Sequence, residues 1–173
     1  MPFSLVPRHS FRLVTDISPD FLEALGIKFL MLDLDNTIAA YGQHAPSEVF
    51  SLWAKSLEGR GITLYIVSNS VRKERVEAFA SLLNIGFVMA ARKPSPAGVQ
   101  TALEATNFGS SESALVGDQI FTDTLAANRA EVISIIVKPV RFTNVFLALR
   151  YAAEAPFRAA CRGKKRAVPS GDR

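Results

Sequence analysis

Apolar and polar positions follow two different rhythms along this chain. Short unbroken apolar runs, rich in β-branched residues, alternate with stretches where apolar residues recur every three or four positions. Unbroken runs of that length suit strands buried on both faces, and the wider spacing suits helices with one face on a core. Lys28–Leu34 reads as a buried strand. Pro46–Glu58 reads as a helix with Val49, Phe50, Trp53 and Leu57 on its inner face. Ile62–Val67 is a second strand, and Lys73–Leu83 a helix packing through Val76, Phe79, Ala80 and Leu83. Gly86–Met89 is a short strand, after which Ser95 caps a helix opening on Pro96. Ala114–Val116 is a strand, Phe121–Arg129 a helix and Val132–Val137 the last strand.

This alternation predicts an α/β fold, a three-layer doubly wound parallel sheet with helices on both faces. One domain is expected over residues 1–162, with its core at about 27–140 and a C-terminal helix at about 143–160. Residues 163–173 read as a disordered basic tail.

Composition narrows the setting. An apolar share of 49% with 21% charged residues fits an ordinary globular domain. The single cysteine, Cys161, excludes an internal disulfide and suits a reducing compartment. It reads as a semi-buried helical residue, and His9 and His44 as loop residues. The start of the chain lacks a signal-peptide pattern, and no apolar run spans a membrane. A cytoplasmic protein is therefore expected, or one peripheral on a membrane surface, including that of an organelle stroma or matrix. Charge is uneven: residues 1–137 carry eleven Lys/Arg against fourteen acids, and residues 138–173 carry nine against two. A mildly acidic body with a basic end points to an anionic partner or a solvated tail.

The polar residues that interrupt the pattern fall at strand ends. Asp33 and Asp35 close the first strand, Ser68 follows the second, Lys93 follows the third and Asp118 the fourth. In an open parallel sheet the carboxyl ends of the strands form the ligand crevice, so four distant segments deliver these groups to one place. Two adjacent carboxylates repel each other and are costly to desolvate. A divalent cation relieves that cost; an all-oxygen set that includes Asp118 suits Mg²⁺. Lys93 and the Ser68 hydroxyl can clamp a phosphoryl group, one carboxylate can attack phosphorus, and a second carboxyl can move the proton. Singly, each of these features is more often a turn, a cap or a loop.

The segments together resemble the haloacid dehalogenase-like (HAD) superfamily of aspartate-nucleophile phosphatases, over roughly residues 27–139. The first motif stands here as Phe29-Leu30-Met31-Leu32-Asp33-Leu34-Asp35-Asn36-Thr37, the second as Ile66-Val67-Ser68-Asn69. The third is Lys93 in Arg92-Lys93-Pro94, the fourth Gly117-Asp118-Gln119-Ile120-Phe121-Thr122-Asp123. The resemblance implies Asp33 as nucleophile, Asp35 as general acid/base, and Ser68, Asn69 and Lys93 as the phosphate site. It implies Mg²⁺ on Asp33, Asp118 and the main-chain carbonyl of Asp35, supported by Thr37 and Asp123.

Spacing speaks to the substrate. Thr37 and Ser68 are 31 positions apart, Ser68 and Lys93 only 25, and the expected helices and strands fill both gaps. A capless, open site is expected. With Gly-Asp-Gln-x-x-Thr-Asp and the following Asn128-Arg129, this layout is similar to the YqeG-type subclass IIIA phosphatases. That likeness implies phosphatidylglycerophosphate as substrate and a role in phosphatidylglycerol synthesis. Other HAD substrates (a small metabolite, a phosphoprotein, a nucleic-acid end) and a non-enzymatic adaptor are the competing readings. No nucleic-acid partner is expected, because basic and aromatic residues do not interleave. Oligomeric state stays open.

Two readings hold for the C-terminal region. In Thr143–Arg158, Val145, Phe146, Leu149 and Ala153 share one side and Arg141, Arg150, Arg158, Arg162, Lys164, Lys165 and Arg166 form a basic fringe. This could be a last helix packed on the sheet with a solvated end, or a basic amphipathic helix lying on anionic lipid.

Overall fold

The computed structural model describes residues 4–141 and 145–163. The strands are β1 (His9–Ser10), β2 (Phe29–Leu32), β3 (Thr63–Val67), β4 (Gly86–Val88), β5 (Ser113–Gly117) and β6 (Ile133–Ile136). The helices are α1 (Pro19–Ala24), α2 (Glu48–Glu58), α3 (Lys73–Leu83), α4 (Ala97–Thr106), α5 (Leu125–Arg129), α6 (Val145–Ala153) and α7 (Ala155–Gly163).

The strands form one parallel sheet in the order β1-β6-β5-β2-β3-β4. The chain runs outward from β2 to β4, then crosses back to β5 on the other side of β2. The reversal between β2 and β5 opens a crevice at their carboxyl ends, where a parallel sheet binds ligands.

Alternate strand residues feed two cores. Leu30, Leu32, Leu64 and Ile66 pack with Phe50, Trp53 and Leu57 of α2 and with Val76 and Phe79 of α3. Phe29, Met31 and Val67 face Val99 and Ala102 of α4 and Ala126 and Ala127 of α5. Burial on both faces explains why β2 reads as a run of apolar residues without alternation. The Trp53 indole N–H donates to Ile17 O at 2.7 Å, so the largest side chain of α2 buries without an unpaired donor.

The structure corrects several expectations. The helix expected from Pro46 begins at Glu48, capped by Ser47, whose hydroxyl accepts the Phe50 N–H. Val49 does not face the core but is 65% exposed, because Phe50, Trp53, Ala54 and Leu57 already complete the buried stripe. Pro96, not Ser95, is the residue before the first turn of α4, although the Ser95 hydroxyl still accepts the Ala97 N–H. Phe121–Arg129 divides into a π-helical turn, Ile120–Thr124, and α5. The C-terminal helix breaks at Glu154 into α6 and α7. His9 lies in the edge strand β1, with its ring edge-on to Phe21, and β1 and α1 were not expected. Cys161 is buried in α7. The expected disordered segment lies, from Lys164 onward, outside the described residues. Among the described residues, no helix is long and apolar enough to cross a membrane.

Candidate active site

The residues singled out in the sequence do converge. Asp33, Asp35, Ser68, Asn69, Lys93 and Asp123 line one cavity of about 210 Å³ at the carboxyl end of the sheet, with Tyr41 and Gln119 at its edge. A cavity of about 330 Å³ at the far end of the strands, between Glu58 and Gly86, holds no cationic group and one carboxylate, Glu58.

Backbone bonds from the sheet carry each segment to its place. The Asp33 N–H donates to Val116 O at 2.9 Å, tying the first acid to β5. The Ser68 N–H donates to Val88 O, and Ser68 O accepts from Ala91, both at 2.9 Å. The turn holding Lys93 is tight: Ala90 and Arg92 take φ of 48° and 57°. For residues with a Cβ this left-handed conformation costs roughly 1–2 kcal/mol each, and such strain concentrates at functional sites. The Asn69 side chain closes the turn, donating to Lys93 O at 2.9 Å and accepting the Lys93 N–H at 2.7 Å. Its amide is therefore engaged with the loop rather than presented to the cavity.

Lys93 is the electrostatic centre. Its Nζ donates to Asp33 Oδ1 at 2.6 Å and to Val67 O at 2.7 Å, and pairs with Asp123 Oδ1 at 2.8 Å. Burial opposes the ammonium charge, yet Asp123 and Asp33 outweigh it and hold the lysine protonated well beyond its ordinary range. Burial also pushes Asp33 up to about 7, against the pull of Lys93. Asp118 is raised well above the carboxylate range, again first by burial and then by Asp123 and Asp33.

Carboxylate oxygens of Asp33, Asp118 and Asp123 all lie within 4.8 Å of one another. Asp118 Oδ1 is buried and has no hydrogen-bond partner. Three buried acids facing one ammonium, with a carboxylate oxygen left over, fit a hard divalent cation. Asp123 can come this close only because residue 117 is glycine: a Cβ there would lie 2.2 Å from Asp123 Cγ. Thr37, two residues past Asp35, is buried with no hydrogen-bond partner for its hydroxyl.

Asp35 stands apart from the triad. Its Oδ1 accepts from Arg75 Nη1 at 2.6 Å. Arg75, buried on α3, also donates to Gln43 O at 2.9 Å and Ala40 O at 3.3 Å. One guanidinium thus holds both Asp35 and the loop bearing Tyr41. Arg75 leaves little trace in the sequence, since Lys73–Leu83 reads as a plain amphipathic helix. The only signal was a charged residue beside Val76 on its apolar face.

A second missed group comes from the C-terminal helices. Glu154 Oε1 accepts the N–H groups of Ile120 and Phe121 at 2.8 and 3.2 Å. Arg158 pairs with Glu154 Oε2 at 2.9 Å, donates to Val137 O at 3.1 Å and donates to Asp118 O. Both side chains are buried. They clamp the turn that presents Asp118.

Comparisons with known proteins agree with this geometry. A family profile described as HAD-hydrolase-like matches residues 90–144. The chain is 29% identical over 142 residues to the "probable phosphatase YqeG" of Bacillus subtilis (strain 168), covering 82% of each protein. The cobalt-bound deoxy-D-mannose-octulosonate 8-phosphate phosphatase of Haemophilus influenzae superposes with a TM-score of 0.53 at 14% identity. That match covers 82% of this chain and 92% of the other. A putative HAD family hydrolase from Streptomyces avermitilis MA-4680 gives 0.53 at 19% identity, covering 74% and 80%. At these identities the structural likeness bears on the fold alone.

Proposed function

We propose that this chain is a phosphatase of the HAD-like hydrolases, using Asp33 as nucleophile and phosphatidylglycerophosphate as substrate. The observation that carries the chemistry is the meeting of Asp33, Lys93 and the Asp118–Asp123 pair in one buried cluster opening on the cavity.

In this reading the phosphate enters beside Ser68 and Lys93, whose hydroxyl and ammonium take its oxygens. The Asp33 carboxylate attacks phosphorus as the ester P–O bond breaks, and Asp35 gives its proton to the departing alcohol. Water then attacks the aspartyl phosphate. Asp35 takes back a proton, the Asp33–phosphorus bond breaks and inorganic phosphate leaves. Arg75 keeps Asp35 pointed at the cavity throughout. Magnesium, held by Asp33, Asp118 and the Asp35 carbonyl, would supply positive charge to the phosphate oxygens.

The lipid assignment is supported by openness. Between Thr37 and Ser68 the described chain contains only α2 and β3, and between Ser68 and Lys93 only α3 and β4. Among the described residues no inserted domain stands over Asp33, which supports a large alcohol carrying the phosphate. The test is phosphate release by the full chain with Mg²⁺, comparing phosphatidylglycerophosphate in mixed micelles with soluble monoesters. The lipid should be preferred, and Asp33→Asn should abolish turnover with an unchanged fold. Faster hydrolysis of the soluble esters would overturn the lipid assignment and leave the chemistry standing.

A further inference from the structure

The α6–α7 pair is built inside out. Its charged residues with described side chains, Arg150, Glu154 and Arg158, turn toward the protein. Arg150 lines a small recess with Asp118 and Gln119, its guanidinium also 6.0 Å from the Phe146 ring, and Glu154 and Arg158 bond to the catalytic turn. The outward face is apolar: Val145, Phe146 and Leu149 are 75%, 69% and 65% exposed. Every other exposed position between 145 and 160 is an alanine or Pro156. A water-facing helix ordinarily shows the reverse polarity. Helix α2 shows the contrast, since its exposed Val49 and Leu52 alternate with Glu48, Lys55, Ser56 and Glu58.

We propose that the outer face of α6 and α7 seats in the interface of an anionic lipid bilayer, beside the active-site opening. The flanking charge selects this occupant. Of the seven Lys/Arg between Arg141 and Arg166, Arg150 and Arg158 turn inward, and the one acid, Glu154, is buried in its pair with Arg158; Arg141, Arg162, Lys164, Lys165 and Arg166 are left to flank the segment in sequence. Exposed apolar residues in a segment whose remaining charges are all cationic match an acyl boundary beneath negative headgroups. A second copy of the same face would bring like charges together around its apolar centre. The seating is also placed for use: the inner side of α6 reaches Asp118 and Gln119, so the bound surface lies next to the cleft. The choice of a lipid surface rests in part on the lipid reading above, whereas the polarity of the helices stands apart from it.

The experiment is co-sedimentation of the full chain with vesicles of phosphatidylcholine alone and of phosphatidylcholine mixed with phosphatidylglycerol. Wild type should bind the mixed vesicles and bind the neutral ones weakly. Phe146→Ser with Leu149→Ser should weaken that binding by at least about tenfold. The same double variant should keep its melting temperature and its hydrolysis of a soluble aryl phosphate, since neither side chain touches the site. Wild type failing to bind mixed vesicles would overturn the proposal, as would equal binding by the variant. A wild-type dimer in buffer that the variant abolishes would also overturn it, by assigning the face to a second copy. No phosphatidylglycerophosphate is present, so docking can succeed while that substrate assignment fails, and the reverse.

Discussion

Lys93 Nζ lies 2.6 Å from Asp33 Oδ1, with both side chains withdrawn from solvent. The ammonium also meets Asp123, so one cation balances two acids, while Asp118 has Arg150 acting on it only from across a recess. The site is thus short of positive charge, which a metal ion and a clamped phosphate would redress from different sides. Lys93→Met should strip the cluster of the cation that pairs with Asp33 and Asp123. Removing one partner of a buried pair costs roughly 3–5 kcal/mol. The variant should melt well below wild type without metal, recover in part with Mg²⁺, and release no phosphate. Thermal melts with and without metal, alongside a phosphate assay, check this.

Asp33 supplies a pH signature. Its carboxyl titrates near 3.8 in an unfolded chain and at about 7 in the folded one, because burial outweighs Lys93. Between those values the folded state holds more protons, so metal-free stability falls as pH rises through this window and levels off above it. Melting temperatures in EDTA at pH 5 and pH 8 should drop more for wild type than for Asp33→Asn. Equal drops would show that the carboxyl is not raised.

Arg75 positions Asp35 through a planar fork that also holds the carbonyls of Gln43 and Ala40. A lysine cannot make those contacts together. Arg75→Lys should lower kcat by about tenfold or more, in line with the usual contribution of a positioned acid or base. The pH–rate profile should shift while Mg²⁺ affinity, which rests on the Asp33 and Asp118 carboxylates and the Asp35 main chain rather than the Asp35 side chain, stays near wild type. Steady-state kinetics across pH together with a magnesium titration would separate the two.

Glu154→Gln keeps an acceptor for the Ile120 and Phe121 N–H groups but leaves the buried Arg158 without its counter-charge. The turn holding Asp118 should loosen. The expected result is a lower melting temperature and a several-fold higher Mg²⁺ requirement, with Asp35-dependent pH behaviour unchanged. A variant that is only less stable, with metal dependence intact, would confine the pair to a structural role.

Much of this protein can be read from its linear order. The apolar runs of β2, β3 and β5 declare a sheet buried on both sides, since only parallel strands under helices dispense with alternation. Asp33, Asp35, Ser68, Lys93 and Asp118 each stand just past such a run, and parallel strands bring their ends together. The crevice therefore follows from local pattern plus one topological rule. Arg75 and the Glu154–Arg158 pair escaped that logic. Each sits on a helix where a single charge looks like solvated surface, and its partners lie between 21 and 40 positions away, apart from the 154–158 pair itself. Periodicity reports that a helix has two faces, but it cannot report which face a neighbouring element covers. That is why Val49 read as core and emerged in solvent, and why the pattern alone left two readings for Val145, Phe146 and Leu149, which are exposed. Packing assigned those faces, because a side chain's burial depends on what the rest of the chain lays against it.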